Sequence, residues 1–133
     1  MTADTTTLLP SALLYGAADI VAVRGLAKDD WIAPGDPSDE DYDEADCPVC
    51  VLASINLAAG RYHSEPLCDV TLDAAEAVAA HLGLDHLIGD VELPHDRMVQ
   101  VLGAGWNDVP DRTEGDVVRV LRGAARKEAE AGR

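Results

Sequence analysis

The stretch that most constrains the fold is the apolar run from Cys47 to Gly60, which two polar residues interrupt after Pro48. A helix that is apolar on nearly every side belongs in the middle of a core. We therefore predict an all-α fold, a compact bundle of about five helices around a central helix over 47–60. Asp46 is the expected N-cap of this helix, with Pro48 in its first turn.

Four further helices are predicted from helical spacing and from start and stop signals. They cover 10–24, 72–82 with Thr71 as N-cap, 94–102, and the residues after Thr113. Gly25 and Gly103 are the expected stop signals of the first and third of these. Because the chain has no Phe and 4% aromatic residues, the core must consist of Leu, Val, Ile and Ala.

The chain's 133 residues suit one domain, 1–133. Within it, the segment 33–46 carries seven acidic residues and no basic one. Self-repulsion and low apolarity predict a mobile loop outside the core. The pattern Asp39-x-Asp41-x-Asp43 resembles the start of a calcium loop, but it lacks the glycine and glutamate that such a loop needs further on.

The formal net charge of -15 argues against nucleic acid or an anionic membrane as a partner, because both would be repelled. The N-terminus has no basic region typical of a signal peptide, and the apolar runs are too short to span a bilayer. With three cysteines, the chain is expected in a reducing cytoplasm. An acidic surface that imitates DNA remains an alternative.

Cys47, Cys50, His63 and Cys68 have a spacing compatible with a zinc site. Cys50, however, falls within the apolar run, and a free cysteine in a core behaves as a small hydrophobic residue. The order of the ligands is also the reverse of that in a usual zinc finger. We therefore predict no metal and no cofactor, with these four residues as the alternative zinc set.

Trp106, Asn107 and Asp108 form the most distinctive polar group. Asn and Asp ahead of a proline make turns by bonding nearby backbone amides, so we expect a turn-rich connector with Trp106 buried at the edge of the core. Thr113 should then cap the last helix through the amide of Asp116 or its neighbour.

The same three residues also suit a recognition site. Trp106 would supply a flat wall, and Asn107 and Asp108 would supply oriented polar groups. Tyr15 and Asn56, each a polar residue on a mostly apolar helix, are the residues expected to join them.

Three blocks of the chain, 14–20, 50–56 and 106–113, resemble in order an uncharacterised family of small actinobacterial and phage proteins. The resemblance supports the helical architecture and brings no activity with it. In that family the second block carries a cysteine that matches Cys50 but none that matches Cys47, which argues against a role that needs both.

Taken together, the sequence predicts a small cytoplasmic binding or accessory protein of unknown ligand that acts through protein–protein interaction, with an unknown protein or small molecule as its partner. One alternative is a small enzyme or metal-binding protein with a site near Trp106 and Asn56. A second is an acidic DNA-mimic decoy. Polar residues that line an open pocket would favour a site, and polar residues bonded to backbone would favour an interaction protein.

Overall fold

The structure, a computed structural model, describes residues 9–33, 38, 40, 42–88 and 94–133. These ranges contain five α-helices and no strand, which confirms the predicted all-α class. The helices are α1 (Pro10–Arg24), α2 (Val51–Ala58), α3 (Asp69–His81), α4 (Pro94–Met98) and α5 (Glu114–Glu130). α4 continues into a π-helix over Val99–Asn107, and short 3₁₀ turns lie at Glu44–Asp46 and Asp85–Leu87.

α1 packs against α5, α2 and α3, and it has the predicted bounds. Pro10 opens the helix, where its missing N–H costs nothing, and Gly25 ends it at a φ of 95°. Gly16 allows α2 to approach closely, because a Cβ there would lie 3.3 Å from the Cβ of Ala58. Ala22, one turn after the buried Ala18, is exposed.

The core draws on every helix and on the π-helix, and it is aliphatic as the composition requires. Its fully buried large side chains include Leu13, Leu14, Val21, Leu52, Ile55, Val78, Met98, Leu102, Val117 and Leu121. Six of the eight residues of α2, Val51–Asn56, are buried, so this short helix has almost no exposed face over its first two turns.

The predicted start of α2 is wrong. The helix begins at Val51 with Cys50 as its N-cap, and Asp46 lies in a separate 3₁₀ turn. Cys47 is extended, with ψ at 143°, because a residue before proline avoids the helical region. Residues 47–50 therefore run as an extended segment into the helix.

This extended segment is held by backbone bonds to the irregular chain that follows α1. The N–H of Val49 donates to the carbonyl of Gly25 at 3.0 Å, and Ala27 donates back to Val49 at 2.9 Å. The N–H of Cys50 donates to the carbonyl of Trp31 at 2.9 Å. Residues 25–33 and 47–50 thus form one tight unit at the N-terminus of α2.

α3 begins at Asp69 with Cys68 as its N-cap, one turn before the predicted start. Thr71, the expected cap, lies inside the helix, and its Oγ1 accepts a bond from the N–H of Cys68 at 2.8 Å. At the far end of the chain, Thr113 caps α5 as predicted, since its Oγ1 accepts a bond from the N–H of Asp116 at 3.1 Å.

The predicted end of α4 at Gly103 is also wrong, because the helix widens into the π-helix and carries on to Asn107. The N–H of Asp108 donates to the carbonyl of Gly103, five residues back, at 2.9 Å. Gly105 suits this path, since a Cβ there would lie 3.1 Å from the carbonyl oxygen of Gln100. Trp106 and Asn107 are therefore helical and do not form a connector.

Much of the acidic segment, including Asp39 and Asp41 of the calcium-like pattern, lies outside the described residues. Its mobility stays a prediction. The end of the segment is tied to α1: Arg24 donates to the carbonyl of Glu44 through one terminal nitrogen and to that of Cys47 through Nε, both at 2.7 Å. No helix in the described ranges has the length and apolarity needed to cross a membrane.

Candidate functional site

Asn107 sits at the end of the π-helix with its side chain fully buried. Its Oδ1 accepts a bond from the N–H of Val51 at 2.9 Å, and its Nδ2 donates to the carbonyl of Ala27 at 2.8 Å. Val51 is the first residue of α2, where the N–H has no acceptor within its own helix. One amide side chain therefore joins the π-helix, α2 and the 25–33 segment.

Asp108 extends this connection. Its Oδ1 accepts bonds from the Nδ2 of Asn107 at 3.0 Å and from the N–H of Asp29 at 2.9 Å. Asp29 has a φ of 64°, in the left-handed region that costs a residue with a side chain about 1 kcal/mol or more. The carboxylate of Asp108 holds the backbone of Asp29 in this conformation. The bonds we expected to nearby amides run instead to residues far away in sequence.

A pocket of about 300 Å³ opens beside this hydrogen-bond system, and we call it the Asp108 pocket. Its walls come from the 25–33 segment, the start of α2 and the π-helix. Most of its lining is apolar or weakly polar: Trp31, Cys50, Leu52, Val99, Gly103 and Ala104. Asp29, Asp30 and Asp108 are the acidic residues of the lining, and Gln100 completes it.

None of these three carboxylates forms a salt bridge with any described residue. Asp30 accepts a bond from the N–H of Trp31 at 2.8 Å, so its charge is hydrogen-bonded but not neutralised. Lys28 directs its Nζ to the backbone carbonyls of Val109 and Pro110. The pocket thus combines a largely apolar lining with acidic residues that form no salt bridge to the described part of the chain.

The flat wall of the pocket is Trp31. Its ring is parallel to that of His95 to within 3°, with the ring centroids 6.0 Å apart. Trp106, the residue we expected in this role, is 5% exposed and packs inside the core. The guanidinium of Arg112 lies over the Trp106 ring, 4.5 Å from its centroid. The predicted burial of Trp106 is confirmed, and Trp106 does not line the pocket.

Asn56 and Tyr15 lie elsewhere. Asn56 is fully buried, and its Nδ2 donates to the carbonyls of His63 at 3.0 Å and Glu65 at 2.9 Å, which fixes the connection between α2 and α3. Tyr15 is 43% exposed and lines a groove between α1 and α5. Of the five predicted site residues, Asp108 alone lines the Asp108 pocket, and Asn107 is hydrogen-bonded to it.

Three residues of the alternative zinc set, Cys50, Cys68 and His63, make other contacts in the structure. Cys50 caps α2, its Sγ accepting a bond from the N–H of Ala53 at 3.3 Å, and Cys68 caps α3. The Nε2 of His63 lies 3.3 Å from Glu44, close enough for an ion pair but without hydrogen-bond geometry. Across the described part of the chain, no three His, Cys, Asp or Glu side chains are placed to share a metal ion.

The thiols of Cys50 and Cys68 differ in acidity. Burial, with a smaller contribution from Asp108, raises the pKa of Cys50 to about 11. Partial burial also acts to raise the pKa of Cys68, but bonds from Thr71 and from the Val70 amide, together with Arg61, lower it overall. Cys50 is therefore a neutral thiol in the pocket wall at neutral pH, unsuited to act as a nucleophile.

We expect iodoacetamide at pH 8 to alkylate Cys68 well before Cys50 and Cys47. A thiol with a pKa near 11 has about one thiolate per thousand molecules at this pH, and Cys47 and Cys50 are both buried. Peptide mass spectrometry over time measures the order, with the urea-unfolded chain as the control in which all three react. Alkylation of Cys50 as fast as Cys68 in the folded protein would contradict this assignment.

We expect Asp108→Ala to lower the free energy of unfolding by about 1–2 kcal/mol, the scale of a lost cap or turn bond. The substitution removes the acceptor of the Asp29 amide and one partner of Asn107. Urea unfolding measures the change, and Asp108→Asn, which keeps an acceptor oxygen, should lose less. Unchanged or raised stability in the alanine variant would show that the hydrogen bonds of Asp108 do not stabilise the fold.

The fold and the pocket define a small all-α protein with a pocket bordered by three acidic residues. A family model described as a family of unknown function, DUF6197, matches residues 5–127. The chain belongs to this family, which confirms the resemblance to an uncharacterised family. No curated protein and no solved structure matches the chain.

Proposed function

We propose that this protein is a binding protein that recognises a positively charged side chain of a basic partner protein in the Asp108 pocket. The observation that carries the proposal is the combination of a largely apolar lining with three acidic residues, Asp29, Asp30 and Asp108, none of which forms a salt bridge within the described part of the chain. Arg and Lys have apolar stems and charged ends, so one such side chain satisfies both parts of the pocket.

The size and charge of the protein support the same function. A volume of about 300 Å³ is at the lower end for small-molecule sites, which suits a single side chain. The net charge of -15 would steer a basic partner toward the surface and raise its association rate. Trp31 adds a flat face on which a guanidinium can stack.

The burial and the hydrogen bonds of the predicted polar residues also favour an interaction protein over an enzyme. Asn56 and Asn107 are buried and bonded to backbone groups, and Cys50 carries a neutral thiol. Asp108 both bonds the backbone of Asp29 and lines the pocket. Trp106 and Asn56 are themselves buried, and the Cys50 thiol in the pocket wall is neutral. The pocket therefore offers the enzyme alternative carboxyl groups but no activated cysteine.

The test is an NMR titration with N-acetyl-arginine amide and with its uncharged analogue, N-acetyl-citrulline amide. The chain has two tryptophans, so their two indole N–H signals can be assigned with Trp31→Phe. We expect the arginine compound to shift the Trp31 signal, to leave the buried Trp106 signal in place, and to bind about tenfold more tightly than citrulline.

Asp108→Asn is the matched variant, because its amide oxygen still accepts the Asp29 bond while the charge is removed. It should weaken arginine binding about tenfold. Asp85→Asn removes the same charge from an exposed turn outside the pocket and should leave binding unchanged. Equal binding of arginine and citrulline, or no effect of Asp108→Asn, would contradict the proposed function.

A further inference from the structure

A second groove, between α1 and α5, has the opposite charge character. It has a volume of about 610 Å³ and lies outside the Asp108 pocket. Its lining includes Arg119, Arg122 and Arg126, with Glu114 as its one acidic residue. The side chains of these arginines follow one another at intervals of three and four residues, which places them along one face of α5. In a chain of net charge -15, this face brings three guanidinium groups together, although carboxylates lie within reach of two of them.

The arginines of this groove form only exposed salt bridges or, in one case, none with the described residues. Arg119 pairs with Asp116 at 2.7 Å and Arg122 with Asp19 at 3.6 Å, but the two arginine side chains are 74% and 55% exposed. Exposed pairs of this kind contribute little to stability and can exchange for a stronger anion. Arg126 is exposed and makes no salt bridge with the residues that the structure describes.

Tyr15 supplies an aromatic face at the same groove. It is 43% exposed, whereas the apolar residues around it on α1, Leu14 and Ala18, are fully buried. Val118 and Ala22 add apolar lining beside it. A planar ring can therefore stack at Tyr15 while an anionic group attached to it reaches the guanidinium groups of α5.

We infer that this groove binds a small organic phosphate that carries a planar ring, of the chemical class of a nucleoside monophosphate. Guanidinium groups bind phosphate oxygens through paired, charge-assisted bonds. A ligand with two negative charges is much less repelled by the acidic chain than a nucleic acid or an acidic protein, which would bring many. Tyr15 was predicted as a site residue but lies away from the Asp108 pocket; in this groove it would stack against the ring of the ligand.

The probes are adenosine monophosphate, adenosine and inorganic phosphate, titrated into the full chain at low salt and followed by NMR. We expect the monophosphate to bind about tenfold more tightly than either fragment, with shifts at Tyr15 and along α5, and to weaken as salt rises. Adenosine binding as tightly as its monophosphate would overturn the inference, and so would the absence of monophosphate binding.

Substitutions test whether the monophosphate binds in this groove. The double variant Arg122→Gln with Arg126→Gln should weaken monophosphate binding by about tenfold or more. Arg97→Gln removes one positive charge from an exposed position on α4 and should leave binding unchanged. Each single α5 variant, which also removes one charge, is compared with it. Tyr15→Leu should weaken the monophosphate but not inorganic phosphate. Equal effects of the α4 and α5 variants would mean general electrostatics and would also overturn the inference.

Discussion

Asn107→Asp is expected to lower the free energy of unfolding by about 3–5 kcal/mol at neutral pH, the scale of an uncompensated buried charge. The side chain is fully buried, and its Nδ2 faces the carbonyl of Ala27 and the carboxylate of Asp108. An oxygen in place of this nitrogen would meet two other oxygens. Urea unfolding at pH 7 measures the loss.

The loss should depend on pH. Burial and the neighbouring carboxylate would raise the folded-state pKa of the new aspartate above its unfolded value. The folded variant then binds more protons than the unfolded chain, so its stability relative to the natural protein falls as pH rises through this interval and recovers at acid pH. Gln100→Glu makes the same chemical change at an exposed position of the π-helix that borders the Asp108 pocket. Its cost, mainly repulsion by the neighbouring acids in water, should stay at about 1 kcal/mol or less. A small or pH-independent loss at Asn107 would contradict its bridging role.

Ile55→Ala is expected to lower the free energy of unfolding by about 2–5 kcal/mol, the usual range for a large-to-small change in a core. Ile55 is fully buried in α2. A helix of eight residues has little stability of its own, so it depends on its packing against α1 and α3. The cavity left by the lost side chain therefore weakens the contacts that keep the helix folded.

Val23→Ala is the matched control, because Val23 is 86% exposed on α1. Its effect should stay within about 0.5 kcal/mol. Chemical unfolding of both variants beside the natural protein gives the comparison. A loss under about 0.5 kcal/mol for Ile55→Ala would place this residue at the surface and remove α2 from the core.

The sequence predicted those features that depend on neighbouring residues. Pro10 and Gly25 mark the ends of α1, and Thr113 caps α5, because these signals act within one helical turn. The burial of Trp106 followed from the scarcity of large side chains. Gly103 was misread as a stop, because a glycine in the wider π-helix allows the chain to continue.

The candidate site was predicted in part, because its bonds join distant residues. Asn107 was expected to bond nearby amides, but its partners, Ala27 and Val51, lie 80 and 56 residues away. Asp29 and Trp31 were not predicted as site residues. Two adjacent acidic residues before a tryptophan in a turn could have indicated a site. The turn lies beside the π-helix only because of tertiary packing, and a local sequence pattern carries no information about that packing.

The central claim is that Asn107 ties the π-helix to the start of α2 and so builds the Asp108 pocket. Amide hydrogen exchange at Val51 tests it most directly, because the first N–H of a helix has no acceptor within that helix. Glu114, the exposed first residue of α5, is the comparison. We predict that the Val51 amide exchanges about as slowly as the core amides of α5, and that Asn107→Ala abolishes this protection while α5 keeps its own. Exchange at Val51 as fast as at Glu114 in the natural protein would contradict the claim.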